Sequence, residues 1–179
     1  MRFDTDDLDT IEAWGQLESV ILHEMGHVLG LGTLWDGFLQ NPSLPGPRGA
    51  DTHFNGPVAI ETFDLVGGID YTGGEKVPVE NEQGSTGTRD AHWRESVFAT
   101  ELMTGFLNGG VTNPLSIVSV GSFGDLGYTF SLAAADPYAP PLAAGVAPAT
   151  ARRLELGDDV WRGPLYVLDA RGRILRRVR

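Results

Sequence analysis

Apolar side chains crowd one stretch of the chain, Gln16–Leu29, where QLESVILHEMGHVL carries Leu17, Val20, Ile21, Leu22, Met25, Val28 and Leu29. Most residues of this segment are good helix formers, and Gly30 suits the position that ends a helix in a left-handed turn. The apolar positions cover more than one face, which predicts a helix buried nearly all round. Gly26 in its interior costs about 1 kcal/mol against alanine, so a close neighbour is expected there.

The pattern then dissolves. From Trp35 to Asp90 the chain is dense in Gly, Pro, Asn and Asp, with Asn41-Pro42, Pro45-Gly46-Pro47, Gly67-Gly68 and Gly73-Gly74 as turn formers. A long looped insertion is predicted, holding one short helix near Val58–Phe63. An ordered stretch over Ala91–Phe106 follows, and a short helix over Ser116–Leu126. Residues 131–150 are Ala/Pro-rich and read as a linker. Pro164–Leu168 and Arg173–Val178, flanking Ala170-Arg171-Gly172, predict a β-hairpin tail within residues 151–179. The expected organisation is thus a core over 1–130, a linker over 131–150 and the tail. The fold class expected is α+β.

Charge and composition narrow the chemistry. The 179 residues carry a formal net charge of −11, with 5 basic and 20 acidic side chains in residues 1–150. Such a body repels phosphates, so no nucleic-acid partner is expected. No apolar run is long enough to span a bilayer, and the acidic N-terminus lacks the apolar stretch of a secretory signal. With no cysteine, thiolate metal sites and cysteine nucleophiles are excluded. A transition-metal site must use carboxylates and the four histidines, His23, His27, His53 and His92.

Two of these lie in His23-Glu24-Met25-Gly26-His27, which fits H-E-x-x-H. Residues i and i+4 share a helix face, so both imidazoles can reach one ion, while Glu24 sits about 100° round beside them. Without a metal, an apolar helix would bury three polar side chains at a cost. Catalytic zinc takes three protein ligands and keeps a position for water. The compact pattern H-E-x-x-H-x-x-G-x-x-H retains Gly30 but has Thr33 where its last histidine belongs. The third ligand then comes from His92, 65 residues beyond His27, or from His53. A glutamate ligand, Glu61 or Glu101, is the other arrangement, although no suitable E-x-x-x-D helix accompanies it. Met103 follows His92 by eleven residues, and a methionine turn beneath the metal is a metzincin feature. Trp35 and Trp93 read as packing. Glu95 and Glu101 read either as partners orienting histidines or as salt-bridge residues.

Together HEMGHVLGLGTLW, the distant AHWRESVF and ELMTG resemble the leishmanolysin-type peptidases, metzincins with a long insertion before the third zinc histidine. The resemblance runs from about Phe3 to Asp136. It implies His23, His27 and His92 as zinc ligands, Glu24 as catalytic acid/base and Met103 as the methionine of the turn. It also implies one catalytic Zn²⁺, endopeptidase activity on proteins or peptides, and a place outside the cell or at its surface. That family sets a twisted sheet before the active-site helix, whereas about fifteen residues precede it here. The sheet is therefore expected to be largely absent, and a metal-stabilised binding or adhesion module, or a fragment of a longer peptidase, is the alternative.

Overall fold

The computed structural model describes residues 5–142, 153–157 and 160–178. Its architecture is α+β, with short helices around small antiparallel sheets. Helix α1 (Thr5–Ala13) turns at Gly15 into α2 (Leu17–Leu29), within one residue of the predicted span. Gln16 ties this corner down: its amide donates to Val111 O at 2.7 Å and accepts from Asn113 at 2.8 Å. Gly30 ends α2 at φ 119°, as its sequence position suggested.

The burial of α2 departs from the expectation. Val20, His23, Gly26 and His27 face inward, whereas Ile21, Leu22, Met25, Val28 and Leu29 lie outward, Val28 at 74% exposure. The polar histidines and a bare glycine hold the inner face, so the apolar residues are displaced to the outer one. A count of apolar residues fixes how greasy a helix is, not which side meets the core.

The insertion contains more structure than its turn chemistry suggested. Strands β1 (Leu39–Gln40), β2 (His53–Phe54) and β3 (Val77–Pro78) form an antiparallel sheet. The predicted short helix appears as α3 (Pro57–Leu65), followed by α4 (Gly68–Thr72). Proline at the first turn suits α3, and Asp125 caps it by accepting from the N–H groups of Val58 and Ala59, each at 2.9 Å. Within residues 91–105 the regular element is α5 (Glu95–Phe98). Strand β4 (Phe106–Asn108) leads to α6 (Ile117–Asp125), whose N-cap is Ser116. The main core joins Trp35, Phe54, Phe63, Trp93, Phe98, Met103 and Val118, so both tryptophans are packing residues as read.

Downstream, part of the expected linker is packed down. Asp136 exchanges hydrogen bonds with the backbone of Leu115, the Tyr138 hydroxyl donates to Phe98 O, and Leu142 packs on the core. Residues 143–150 lie outside the described residues. Strand β5 (Arg153–Glu155) pairs antiparallel with β4, an attachment that no local pattern announced. The hairpin forms as predicted, β6 (Tyr166–Leu168) against β7 (Ile174–Arg177). Among the described residues no helix is long and apolar enough to cross a membrane.

Arg153 on β5 reaches the buried Glu95 at 3.5 Å, so the salt-bridge reading of Glu95 holds. Burial nonetheless dominates and raises the Glu95 carboxyl to about 7, against the opposing pull of Arg153. Between about pH 4.5 and 7 the folded protein keeps a proton that the unfolded chain has released, so stability falls as pH rises through that window. Glu95→Gln should flatten that fall, which amounts to roughly 3 kcal/mol at most. Thermal unfolding of both proteins at pH 5 and pH 7.5 checks this; parallel curves would contradict it.

Candidate metal centre

Helix α2 brings His23 and His27 to one side, one turn apart. His92 arrives from a separate segment, and the sequence places it there by backbone rather than by helix. Its carbonyl accepts from Glu80 N at 2.8 Å, and Trp93 bridges to Val79 on one side and Thr104 on the other. Glu80, wholly buried, organises this crossing: its carboxylate accepts N–H bonds from Asn81, Glu82, Gln83 and Glu95 at 2.8–3.1 Å. The turn leaving α2 passes equally close, since a Cβ on Gly32 would lie 2.1 Å from Ala91 O. Only glycine permits that approach, which sets Ala91, and so His92, against the exit of the helix.

The three imidazoles are buried at 0%, 3% and 0% exposure for His23, His27 and His92. Their Nε2 atoms converge, at 2.9 Å for His23–His27, 3.0 Å for His27–His92 and 3.3 Å for His23–His92. Each Nδ1 faces a main-chain carbonyl: Leu102 O at 2.7 Å from His23, Leu31 O at 2.8 Å from His27, Thr88 O at 2.8 Å from His92. A carbonyl only accepts, so each Nδ1 carries hydrogen and donates it. In a neutral ring Nε2 is then the acceptor nitrogen, the atom that can bind a metal ion. Three lone pairs pointed at one another at these distances repel.

A metal ion satisfies all three. Tetrahedral zinc with Zn–N distances of about 2.0–2.1 Å separates its ligand nitrogens by about 3.3–3.4 Å, within a few tenths of what is found. The carbonyl partners also fix ring orientation, as outer-shell groups do in metal sites. Three buried histidines, His23, His27 and His92, therefore lie close enough to hold one metal ion.

Glu24, half-buried, follows His23 on α2 and flanks the pair. Met103 is buried in the turn Glu101–Thr104 beneath the helix, at 1% exposure. A Cβ on Gly26 would lie 2.8 Å from both its Sδ and its Cε, so the close neighbour expected at Gly26 is Met103. The same turn supplies Leu102 O to His23. Among the described residues, the Glu101 carboxylate hydrogen-bonds to Met103, Ser116 and Ser119. It holds the turn, accepting from Met103 N at 2.5 Å, Ser116 N at 3.0 Å, Ser116 Oγ at 2.7 Å and Ser119 Oγ at 2.6 Å. Its complete burial raises its pKa, while those hydrogen bonds pull the other way.

His53 stands apart. It lies partly buried on β2, with Nδ1 donating to Asp51 O at 2.7 Å, and it is not among the grouped histidines. The carbonyls of Leu31, Leu102 and Thr88, and the residues Gly32 and Glu80, were not singled out from sequence. Carbonyl acceptors leave no sequence signal at all. No family model matches the chain, and no curated protein matches it.

Proposed function

We propose that the chain is a zinc-dependent endopeptidase of metzincin type, resembling the leishmanolysin group, with His23, His27 and His92 as ligands. One observation carries the reading: the Nε2 atoms of three buried histidines converge beside the carboxylate of an H-E-x-x-H helix. Structural zinc sites close with four protein ligands, whereas catalytic sites use three and keep one position open. Three histidines and no cysteine fit the second kind.

When bound, zinc supplies Lewis acidity, polarising the scissile carbonyl and easing deprotonation of the attacking water. Glu24 takes that proton and delivers it to the departing amine. The buried histidines, held by Leu31 O, Leu102 O and Thr88 O, keep their Nδ1 hydrogens throughout and exclude bulk water from the inner face of α2. Met103 and Gly26 set the floor of the site. The proposed substrates are proteins or peptides, and the resemblance implies action outside the cell or at its surface.

The test loads the purified chain with one equivalent of zinc and follows a quenched fluorescent peptide. Cleavage that stops with chelator and returns with added zinc supports the reading. One zinc bound per chain without cleavage would leave a metal-stabilised binding module instead.

A further inference from the structure

His92 is oriented through Thr88 O, yet Thr88 lies in a run of turns over residues 84–92 with no helix or strand to hold it. Asp90 anchors the end of that run to Ser43, Leu44 and Glu80, but the partners of the Thr88 hydroxyl come from more than sixty residues downstream. Glu155 Oε1 on β5 accepts from Ser85 N at 2.5 Å and from the Thr88 hydroxyl at 2.8 Å. The next residue, Leu156, donates its N–H to Gly105 O at 3.0 Å. Gly105 is itself so close to Thr88 that a Cβ there would lie 2.1 Å from Thr88 Cγ2 and 3.5 Å from His92 Cγ. Arg153 binds the other end of the turn, donating to Gln83 Oε1 at 3.0 Å while its guanidinium stacks 3.5 Å above the Phe106 ring. Arg162 adds hydrogen bonds to Arg89 O at 2.8 Å and Gly87 O at 3.3 Å.

The tail strand thus fastens the third-ligand loop to the methionine turn. Within it, the Glu155 side chain makes the bond that ends at Thr88. We propose that Glu155 is a positioning residue for His92, acting through Thr88 on the carbonyl that receives the His92 Nδ1 hydrogen. The Ser85 N–H, then the Thr88 hydroxyl, hold the Glu155 carboxyl below the usual carboxylate range, so it is charged at neutral pH and its bonds are charge-assisted. Glu155 is exposed, so its truncation removes these bonds without emptying the core. The proposal rests on the three-histidine metal reading.

Zinc affinity by chelator competition, the cobalt(II) absorption spectrum and apo-protein thermal stability are measured on the full chain, on Glu155→Ala, Glu155→Gln and Thr88→Val. Loss of an outer-shell partner weakens metal binding about 10- to 100-fold, and a link one step further out should give about tenfold. Glu155→Ala should weaken zinc about tenfold and shift the cobalt bands while the apo melting temperature stays within a few degrees. Glu155→Gln, which keeps an acceptor oxygen, should recover most of the affinity. Thr88→Val should repeat the alanine effect, and combining the two should add little. Unchanged affinity and bands in Glu155→Ala, with wild-type zinc binding intact, overturn the positioning role alone. A fall in affinity matched by a large fall in apo stability, unrescued by glutamine, also overturns it. Failure of the wild-type chain to bind zinc strikes the metal reading and the proposal with it.

Discussion

Glu24→Gln should keep one zinc per chain and lose peptide hydrolysis by about two to four orders of magnitude. The amide is nearly isosteric with the carboxylate, so the helix and the three imidazoles stay as they are. What disappears is the ability to take a proton, and general acid–base catalysis contributes about 10²–10⁴-fold. Initial rates at low substrate concentration, with zinc content measured on the same samples, check the outcome. Zinc retention separates this result from simple damage to the site. Hydrolysis within a few fold of wild type would remove Glu24 from the mechanism.

The second large effect belongs to His92→Ala. Zinc bound by histidine and cysteine sites is worth about 10 kcal/mol or more, so one imidazole of three accounts for roughly 3 kcal/mol, or about two hundredfold in affinity. Chelator competition measures it directly. His53→Ala is the matched comparison: this residue lies on β2 away from the cluster, and its removal should leave zinc affinity unchanged. Full stoichiometric zinc at wild-type affinity in His92→Ala would return the third-ligand position to another side chain.

How much of this arrangement the sequence carries depends on whether the information is local. The helix over Leu17–Leu29, its left-handed end at Gly30, the short helix at Pro57–Leu65, the α6 helix and the terminal hairpin all follow from patterns within a dozen residues. The metal pair His23 and His27 is local for the same reason. His92 was reachable because so few histidines compete for the place and because Met103 follows it. The remainder depends on residues distant in sequence. Nothing in Arg153–Glu155 says that it pairs with Phe106–Asn108, and nothing in Thr88 says that its carbonyl orients a histidine. The buried-helix expectation for α2 failed on the same ground. Hydrophobicity is a property of the segment, whereas the choice of inward face is made by Met103 and His92 from elsewhere in the chain.

Those long-range choices converge on one place, where three rings from two segments direct their Nε2 atoms at a single point. X-ray absorption at the zinc edge of the wild-type chain, loaded with one equivalent, counts what lies there. The predicted spectrum has three imidazole nitrogens at about 2.0–2.1 Å and a light-atom ligand completing four-coordination. A zinc environment with one imidazole or none would contradict the metal centre outright.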